Sequence, residues 1–295
     1  MVTAGPQGLT RRACLVAAAM AVVTGWAPHV RAQGVAPRVA AIDWAMAETA
    51  LALDHAPAAI AELLRFRPLA PLPPAPATVD LGLRGAPNIE ALSLVAPDVI
   101  LSSNYYAFIE DRLATLAPVF SRTIYVPREA PFPRVMTLLA ELAEVLGRPA
   151  DGLRAQEAAH VRLDGLARRL SGHADRPFLL IEIGDARHVR IFGDDSLFGG
   201  TLTAMGLRNA WSEGTRFAFA APVPLERLAA FPDARLILLG EVPPHVTRAL
   251  RDAALWNALP PVRHGRLHRL PALNGFGGMP TALRFADALT GALAT

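Results

Sequence analysis

Residues 153–170 read LRAQEAAHVRLDGLARRL. The stretch is dominated by Arg, Ala and Leu, which favour helix, and its apolar residues fall at helical spacing. It lies near the middle of the chain. We read it as a single helix, inside a linking segment 149–174, that joins two lobes. On either side of it, short apolar runs alternate with amphipathic stretches, the pattern of α/β layers. The expected fold is therefore α/β: two α/β lobes, 38–148 and 175–295, joined by one long backbone helix.

Working outward, the first lobe opens with a strand over 38–42 and a helix over 45–53. The proline-rich run 67–77 reads as an extended loop, because proline cannot donate to a ladder. Asn88 is placed to cap a helix over 89–95, which leads into a strand over 98–102. A strand over 123–126 and a helix over 132–146, ended by Gly147, complete this half. In the second half, strands are expected at 178–183, 188–192 and 235–239. Helices are expected at 197–205, 225–230, 246–259 and 281–293. A faint repeat relates the halves. Ile89-Glu90-Ala91-Leu92 leads through Pro97-Asp98 into Val99-Ile100-Leu101, and Leu225-Glu226-Arg227-Leu228 leads through Pro232-Asp233 into Leu236-Ile237-Leu238.

The N-terminal 32 residues read as a signal peptide, cleaved near Ala32. Thr10-Arg11-Arg12 precede an apolar stretch from Ala13 to Val23 that is too short to span a bilayer, and the arginine pair resembles a twin-arginine export signal. No later apolar run is long enough to cross a membrane. Every basic residue is Arg, and three of them fall in the leader, which leaves 26 Arg against 26 Asp plus Glu. The formal charge of +3 therefore belongs to the leader, and the remaining chain lacks the basic footprint of a nucleic-acid binder. The single cysteine, Cys14, also lies in the leader, so no disulfide, thiolate metal site or cysteine nucleophile is expected.

Enzymatic chemistry finds little support. Gly199-Gly200 and Gly275-Phe276-Gly277-Gly278 do not fit a dinucleotide fingerprint, and neither a P-loop nor a nucleophile elbow is present. The eight histidines are scattered, with no His-rich loop, so no metal centre and no catalytic residue is assigned.

Several ordered segments carry a resemblance that spans nearly the whole chain. They are Asp80-Leu81-Gly82-Leu83-Arg84 with Pro87-Asn88-Ile89-Glu90, and Asp185-Ala186-Arg187-His188 through Phe192-Gly193 to Ser196-Leu197-Phe198. Asn209-Ala210-Trp211, Leu255-Trp256, Gly265-Arg266 and Leu270-Pro271-Ala272 follow in order. Together they resemble the periplasmic binding proteins for ferric siderophores, in particular the ferric-hydroxamate branch. The resemblance implies a ligand held in a shallow cleft between rigidly joined lobes. It implies no cofactor, iron being bound only through the siderophore. The implied partners are the ferric siderophore and an inner-membrane ABC permease with its ATPase, and the implied state is a periplasmic monomer.

The resemblance also implies roles for particular residues. Arg84 matches a ligand-contacting arginine and Tyr106 its partner tyrosine, with Tyr105 adjacent and equally able to face the cleft. Three hydroxamates neutralise Fe(III), so one guanidinium and a phenol suffice to hydrogen-bond the polarised oxygens. A tris-catecholate, carrying about three negative charges, would call for a cluster of cations. Trp44 matches an aromatic that packs on the siderophore's carbon frame. Second-lobe tryptophans of the family fall near Ala218 and Asn274 here, so Asn274 is expected at the cleft, with Phe217, Phe219 and Phe276 as replacement apolar walls. Glu90 and Glu226 match one permease-docking glutamate per lobe, although helix-dipole stabilisation alone also accounts for an acid in a first turn. Cobalamin, haem or another metal chelate stays open as the ligand of the same fold, and an α/β enzyme is the remote alternative.

Overall fold

A computed structural model describes residues 36–215 and 221–294. The expected leader lies outside the described residues. In the first half, β1 (Val39–Ala41), β2 (Ala59–Ile60), β3 (Val79–Asp80), β6 (Val99–Ser103) and β7 (Val119–Arg122) form one sheet in the order β3-β2-β1-β6-β7. All four pairings are parallel. A parallel sheet must be covered on both faces, and strand β1 shows how. Val39 and Ala41 enter one core while Ala40 and Ile42 enter another on the opposite face. A small hairpin of β4 (Gly82–Leu83) and β5 (Ala86–Pro87) sits beside the sheet and carries Arg84 in its turn.

The second half repeats the plan with one change. Strands β8 (Phe178–Ile183), β9 (His188–Phe192), β10 (Ala221–Pro224), β11 (Arg235–Leu239) and β12 (Leu267–Leu270) run in the order β10-β9-β8-β11-β12. The β8-β9 and β9-β10 pairings are antiparallel, and β8-β11 and β11-β12 are parallel. Strands β6 and β11, which follow the two copies of the sequence repeat, occupy the same fourth place in their sheets.

The helices are α1 (Trp44–Ala52), α2 (Leu63–Leu69), α3 (Ile89–Val95), α4 (Ala107–Ala114), α5 (Phe132–Val145), α6 (Pro149–Leu170), α7 (Leu197–Ala204), α8 (Pro244–Asp252), α9 (Ala254–Ala258), α10 (Pro260–Arg263) and α11 (Met279–Leu293). The long helix α6 extends through the stretch read from sequence and starts four residues earlier, with Pro149 in its first turn. Asn88 caps α3 as expected, its Oδ1 accepting from the Ala91 amide at 2.9 Å. Gly147 ends the α5 segment at φ +72°, a left-handed conformation suited to glycine. None of the described helices is long and apolar enough to cross a membrane.

Four local expectations are corrected. The proline-rich run is not extended throughout, because α2 reaches Leu69 and contains Pro68, held by the buried side chains of Leu63 and Phe66. The strand expected at 123–126 lies earlier, at Val119–Arg122, where it registers with β6; Ile124 and Tyr125 are buried as loop residues. Residues Leu225–Ala230 form a 3-10 helix rather than an α-helix. The helix expected over 246–259 breaks at Ala253, whose extended backbone separates α8 from α9.

The two lobes share core as well as chain. One cluster contains β1, α1 and α5 side chains together with Ala159 of α6, Leu197 of α7 and Met279 and Ala282 of α11. A second joins Leu163, Leu166 and Leu170 of α6 to β8 and to Phe285 and Leu289 of α11. Polar contacts cross at the same place. Glu48 of α1, fully buried, accepts from Asn274 Nδ2 at 2.9 Å and from the Gly278 amide at 2.8 Å. Tyr125 Oη donates to the Gly277 carbonyl at 2.5 Å. A β-carbon on Gly277 would meet Glu48 Oε2 at 2.6 Å, and one on Gly278 would meet the Ala45 carbonyl at 2.9 Å. The glycine pair lets these segments approach so closely.

Burial raises the Glu48 carboxyl to about 7, against the opposing effect of the hydrogen bonds from Asn274 and Gly278. A carboxyl raised in the folded state binds its proton more tightly there than in the unfolded chain. Its stabilising contribution is therefore complete below the ordinary carboxylate range and is lost as pH rises through about 7. Thermal denaturation should show a falling melting temperature from pH 5 to pH 8. Glu48→Gln should flatten that slope; an unchanged slope would place the titration elsewhere.

Candidate ligand-binding site

The N-terminal wall of the site begins where β1 runs into α1. Asp43 caps α1, its Oδ1 accepting from the Ala45 and Met46 amides at 2.8 and 3.2 Å, and its Oδ2 from Ser103 Oγ at 2.8 Å. Burial pushes the Asp43 carboxyl up, while these donors and the nearby Arg84 charge pull against it. Trp44 follows. Its ring is only 5% exposed, its indole nitrogen donates to the Ala61 carbonyl at 2.9 Å, and its edge meets Phe66. The Arg84 guanidinium lies over the ring at 4.1 Å from its centre. Trp44 is thus the floor beneath Arg84 rather than an open stacking face for ligand.

Arg84 is fixed from two further directions. Its Nε donates to Glu62 Oε2 at 3.2 Å, and its side chain hydrogen-bonds Tyr106. Glu62 has a left-handed backbone, φ 51° and ψ 41°, and has no Cβ-free glycine to ease it. Such strain at a non-glycine residue persists only where the surroundings hold it. Here the Glu62 amide donates to the Gly82 carbonyl at 2.6 Å, in the same hairpin that carries Arg84. Sequence alone gives no sign of this pair, because its members lie 22 residues apart.

Tyr105 and Tyr106 leave the end of β6 in one 3-10 turn, Asn104–Tyr106. Burial, then the Asp43 charge, raises each phenol to about 12, so both stay protonated donors at neutral pH. They point to different tasks. Tyr106 is half-buried beside Arg84, while Tyr105 is exposed and meets the edge of Phe276 at 6.2 Å. Phe276 also packs on Tyr125 at 5.4 Å, so this ring bridges the lobes.

Between the lobes lies a cavity of about 620 Å³, within the size range of small-molecule sites. Phe192, Phe198 and Phe276 contribute apolar wall, and Arg65, Arg190 and Glu182 contribute charge. None of these three charged residues stood out in the sequence, since Arg and Glu in amphipathic elements usually face solvent. Of the expected wall residues, Phe276 lines the cavity, and Phe217 and Phe219 lie outside the described residues. Asn274 is corrected: it is 4% exposed, and its amide is committed to Glu48 and, through Oδ1, to the Phe276 amide at 3.1 Å. It shapes the loop that presents Phe276 and does not face the cleft. Glu90 and Glu226 are both exposed, each in the first turn before the fourth strand of its sheet. Among the described residues no group of His, Cys, Asp and Glu is arranged to hold a metal ion.

Two welded α/β lobes with an aromatic-walled cavity between them, and an oriented guanidinium adjoining it through Glu62, define a ligand-capture protein of the bilobal type. The comparisons agree. A family model described as periplasmic binding protein matches residues 39–273, and the chain belongs to that family. It is 30% identical, over 97% of each chain, to the iron(3+)-hydroxamate-binding protein FhuD of Escherichia coli (strain K12). Its fold matches that of the Fe3+-Desferal-bound siderophore-binding protein FhuD of Vibrio cholerae, with TM-score 0.79, 21% identity and coverage of 88% of this chain and 98% of that one. It also matches the triscatecholate siderophore-binding protein FeuA of Bacillus subtilis, with TM-score 0.68, 17% identity and coverage of 87% and 92%.

The burial of Trp44 has a measurable consequence. Trp44→Ala should cost about 3–5 kcal/mol of stability, the usual range for truncating a large buried aromatic, as read by chemical denaturation. A change under about 1 kcal/mol, normal for surface positions, would mean that the ring is not the floor described.

Proposed function

We propose that this chain is a periplasmic solute-binding protein that captures a ferric hydroxamate siderophore in the interlobe cleft and delivers it to an inner-membrane ABC importer. The observation that carries the reading is Arg84, held by Trp44, Glu62 and Tyr106 yet still 25% exposed at its side chain. A guanidinium so fixed offers its remaining N–H groups in one direction, and the neighbouring phenol adds a donor that stays protonated. Hydroxamate oxygens around Fe(III) are polarised but belong to a neutral core, which such a pair can bind without a cluster of cations. Apolar walls suit the carbon frame that links the hydroxamates. Membership of the periplasmic binding protein family and the similarity to a hydroxamate-binding relative support the same ligand class. In this reading the chain acts as a binding protein without catalysis, as a monomer of two lobes, 38–148 and 175–295, about the linking segment 149–174. Iron enters only as part of the ligand, and export uses the arginine-pair leader with cleavage near Ala32.

Titration calorimetry tests the ligand class. Ferric trihydroxamates should bind the leaderless protein more tightly than a ferric tris-catecholate, and the reverse order would overturn the assignment. Arg84→Ala should weaken trihydroxamate binding by roughly 1.5–3 kcal/mol, the range for losing hydrogen bonds to a charged donor, without unfolding the protein. Normal binding by a folded mutant would remove Arg84 from the site.

Docking to the permease is assigned to Glu90 and Glu226. Each is exposed and each precedes the equivalent strand of its lobe, so a permease of two similar halves could meet both with arginines. The dipole account is weak for Glu226, which heads a six-residue 3-10 helix. Exposed ion pairs contribute little singly, but like charges brought together in an interface cost several kcal/mol. Glu90→Arg with Glu226→Arg should therefore abolish siderophore uptake in reconstituted vesicles while ligand affinity in solution stays the same. Uptake at the wild-type rate would exclude this docking role.

A further inference from the structure

The cavity between the lobes carries charge of its own, and it adjoins the Arg84 cluster through Glu62, which approaches both Arg84 and the lining Arg65. Arg65, from α2, and Arg190, from β9, line the same cavity although they belong to opposite lobes. Both are loosely held. Arg65 approaches Glu62 at 3.7 Å, but that carboxylate has a closer partner in Arg84 at 3.2 Å. Arg190 faces Glu182 across the β8-β9 pairing, at 3.5 Å. The two arginine side chains are 76% and 65% exposed, so neither ion pair is locked by burial.

Among the charged residues that line the cavity, Arg65 and Arg190 against Glu182 leave one excess positive charge. Loose, solvated pairs exchange partners at little cost, because the charges have not been stripped of water. A guanidinium that turns to a ligand carboxylate gains a planar, two-pronged contact. The neighbouring apolar wall of Phe192 and Phe198 lowers the local dielectric and strengthens that contact relative to open solvent. A ligand ammonium at the same place would instead face two guanidinium groups.

We propose that Arg65 and Arg190 form a cationic subsite that selects ferric hydroxamate complexes bearing a pendant anionic group, such as a carboxylate, over those bearing a pendant ammonium. The subsite rests on the siderophore reading above and refines it. The neutral trihydroxamate core sits on Arg84 and Tyr106, and the pendant arm extends towards Arg65 and Arg190. Selection acts on the arm's charge and leaves recognition of the core unchanged.

Three probes separate the terms: ferrioxamine B with its free terminal ammonium, its N-acetylated form and its N-succinylated form. They share one ferric core and carry net charges of plus one, zero and minus one. At low ionic strength the wild-type protein should bind the succinylated complex tightest and the ammonium form weakest. The expected span is about three- to tenfold, the range of one or two partly exposed charge contacts, and it should shrink as salt is added. Arg65→Gln with Arg190→Gln changes the excess charge of the cleft from positive to negative, so the order should invert. Equal wild-type affinity for all three complexes would overturn the subsite alone, as would a double mutant that keeps the wild-type order. Failure of the folded wild-type protein to bind any of them would overturn the siderophore reading, and the subsite with it.

Discussion

Glu48 occupies a place that neither lobe could bury alone. Its carboxyl rises from α1 of the first lobe and takes hydrogen bonds from Asn274 and Gly278 of the second. An unsatisfied carboxyl in that position would be severely penalised, so the two lobes must stay in register to keep it paired. Gly277 and Gly278 make the approach possible, and Tyr125 reinforces it through the Gly277 carbonyl. The same loop presents Phe276 to Tyr105 and to the cavity. The cleft's shape is thus a direct consequence of how one buried acid is satisfied.

A second constraint operates within the first lobe. Arg84 would be a mobile surface side chain were it not laid on Trp44 and tied to Glu62. The strained backbone of Glu62 aims that carboxylate, and Asp80 holds the turn by accepting from the Leu63 and Gly82 amides. Pre-ordering of this kind removes rotamer freedom before ligand arrives, so less is lost on binding. The nearly inaccessible indole thus acts through the arginine it supports.

Much of the architecture was legible because it depends on local pattern. Helical spacing over 153–170 marks α6, apolar runs mark β6, β8 and β11, and Asn88 marks the start of α3. What sequence could not supply was depth and partnership. Trp44 and Asn274 show the limit, since a residue type does not tell whether its side chain points into a cleft or beneath it. Helix α4 was missed, and it buries only Leu113, too faint an apolar signal. Pro68 and Ala253 misled in opposite ways, one tolerated within a helix by packing around Phe66, the other breaking a helix without a proline. Glu48, Glu62, Arg65 and Arg190 acquire meaning only when segments far apart in sequence meet.

A cleft whose lobes share a core and a buried polar knot has little room to adapt by closing. Hinge-closing binding proteins can tune selectivity through the fit of the closed state, because the ligand's own contacts decide whether closure is favourable. Here the continuous cluster from β1 through α6 to α11 fixes the separation of the walls before any ligand enters. Discrimination then falls on the side chains that line the cavity and retain freedom. Those are the partly exposed arginines and the glutamates loosely paired with them, since the aromatic walls are held by one another and by the knot. The rigid frame sets the size of what can enter, and the few adjustable charges decide which chelates of that size are held.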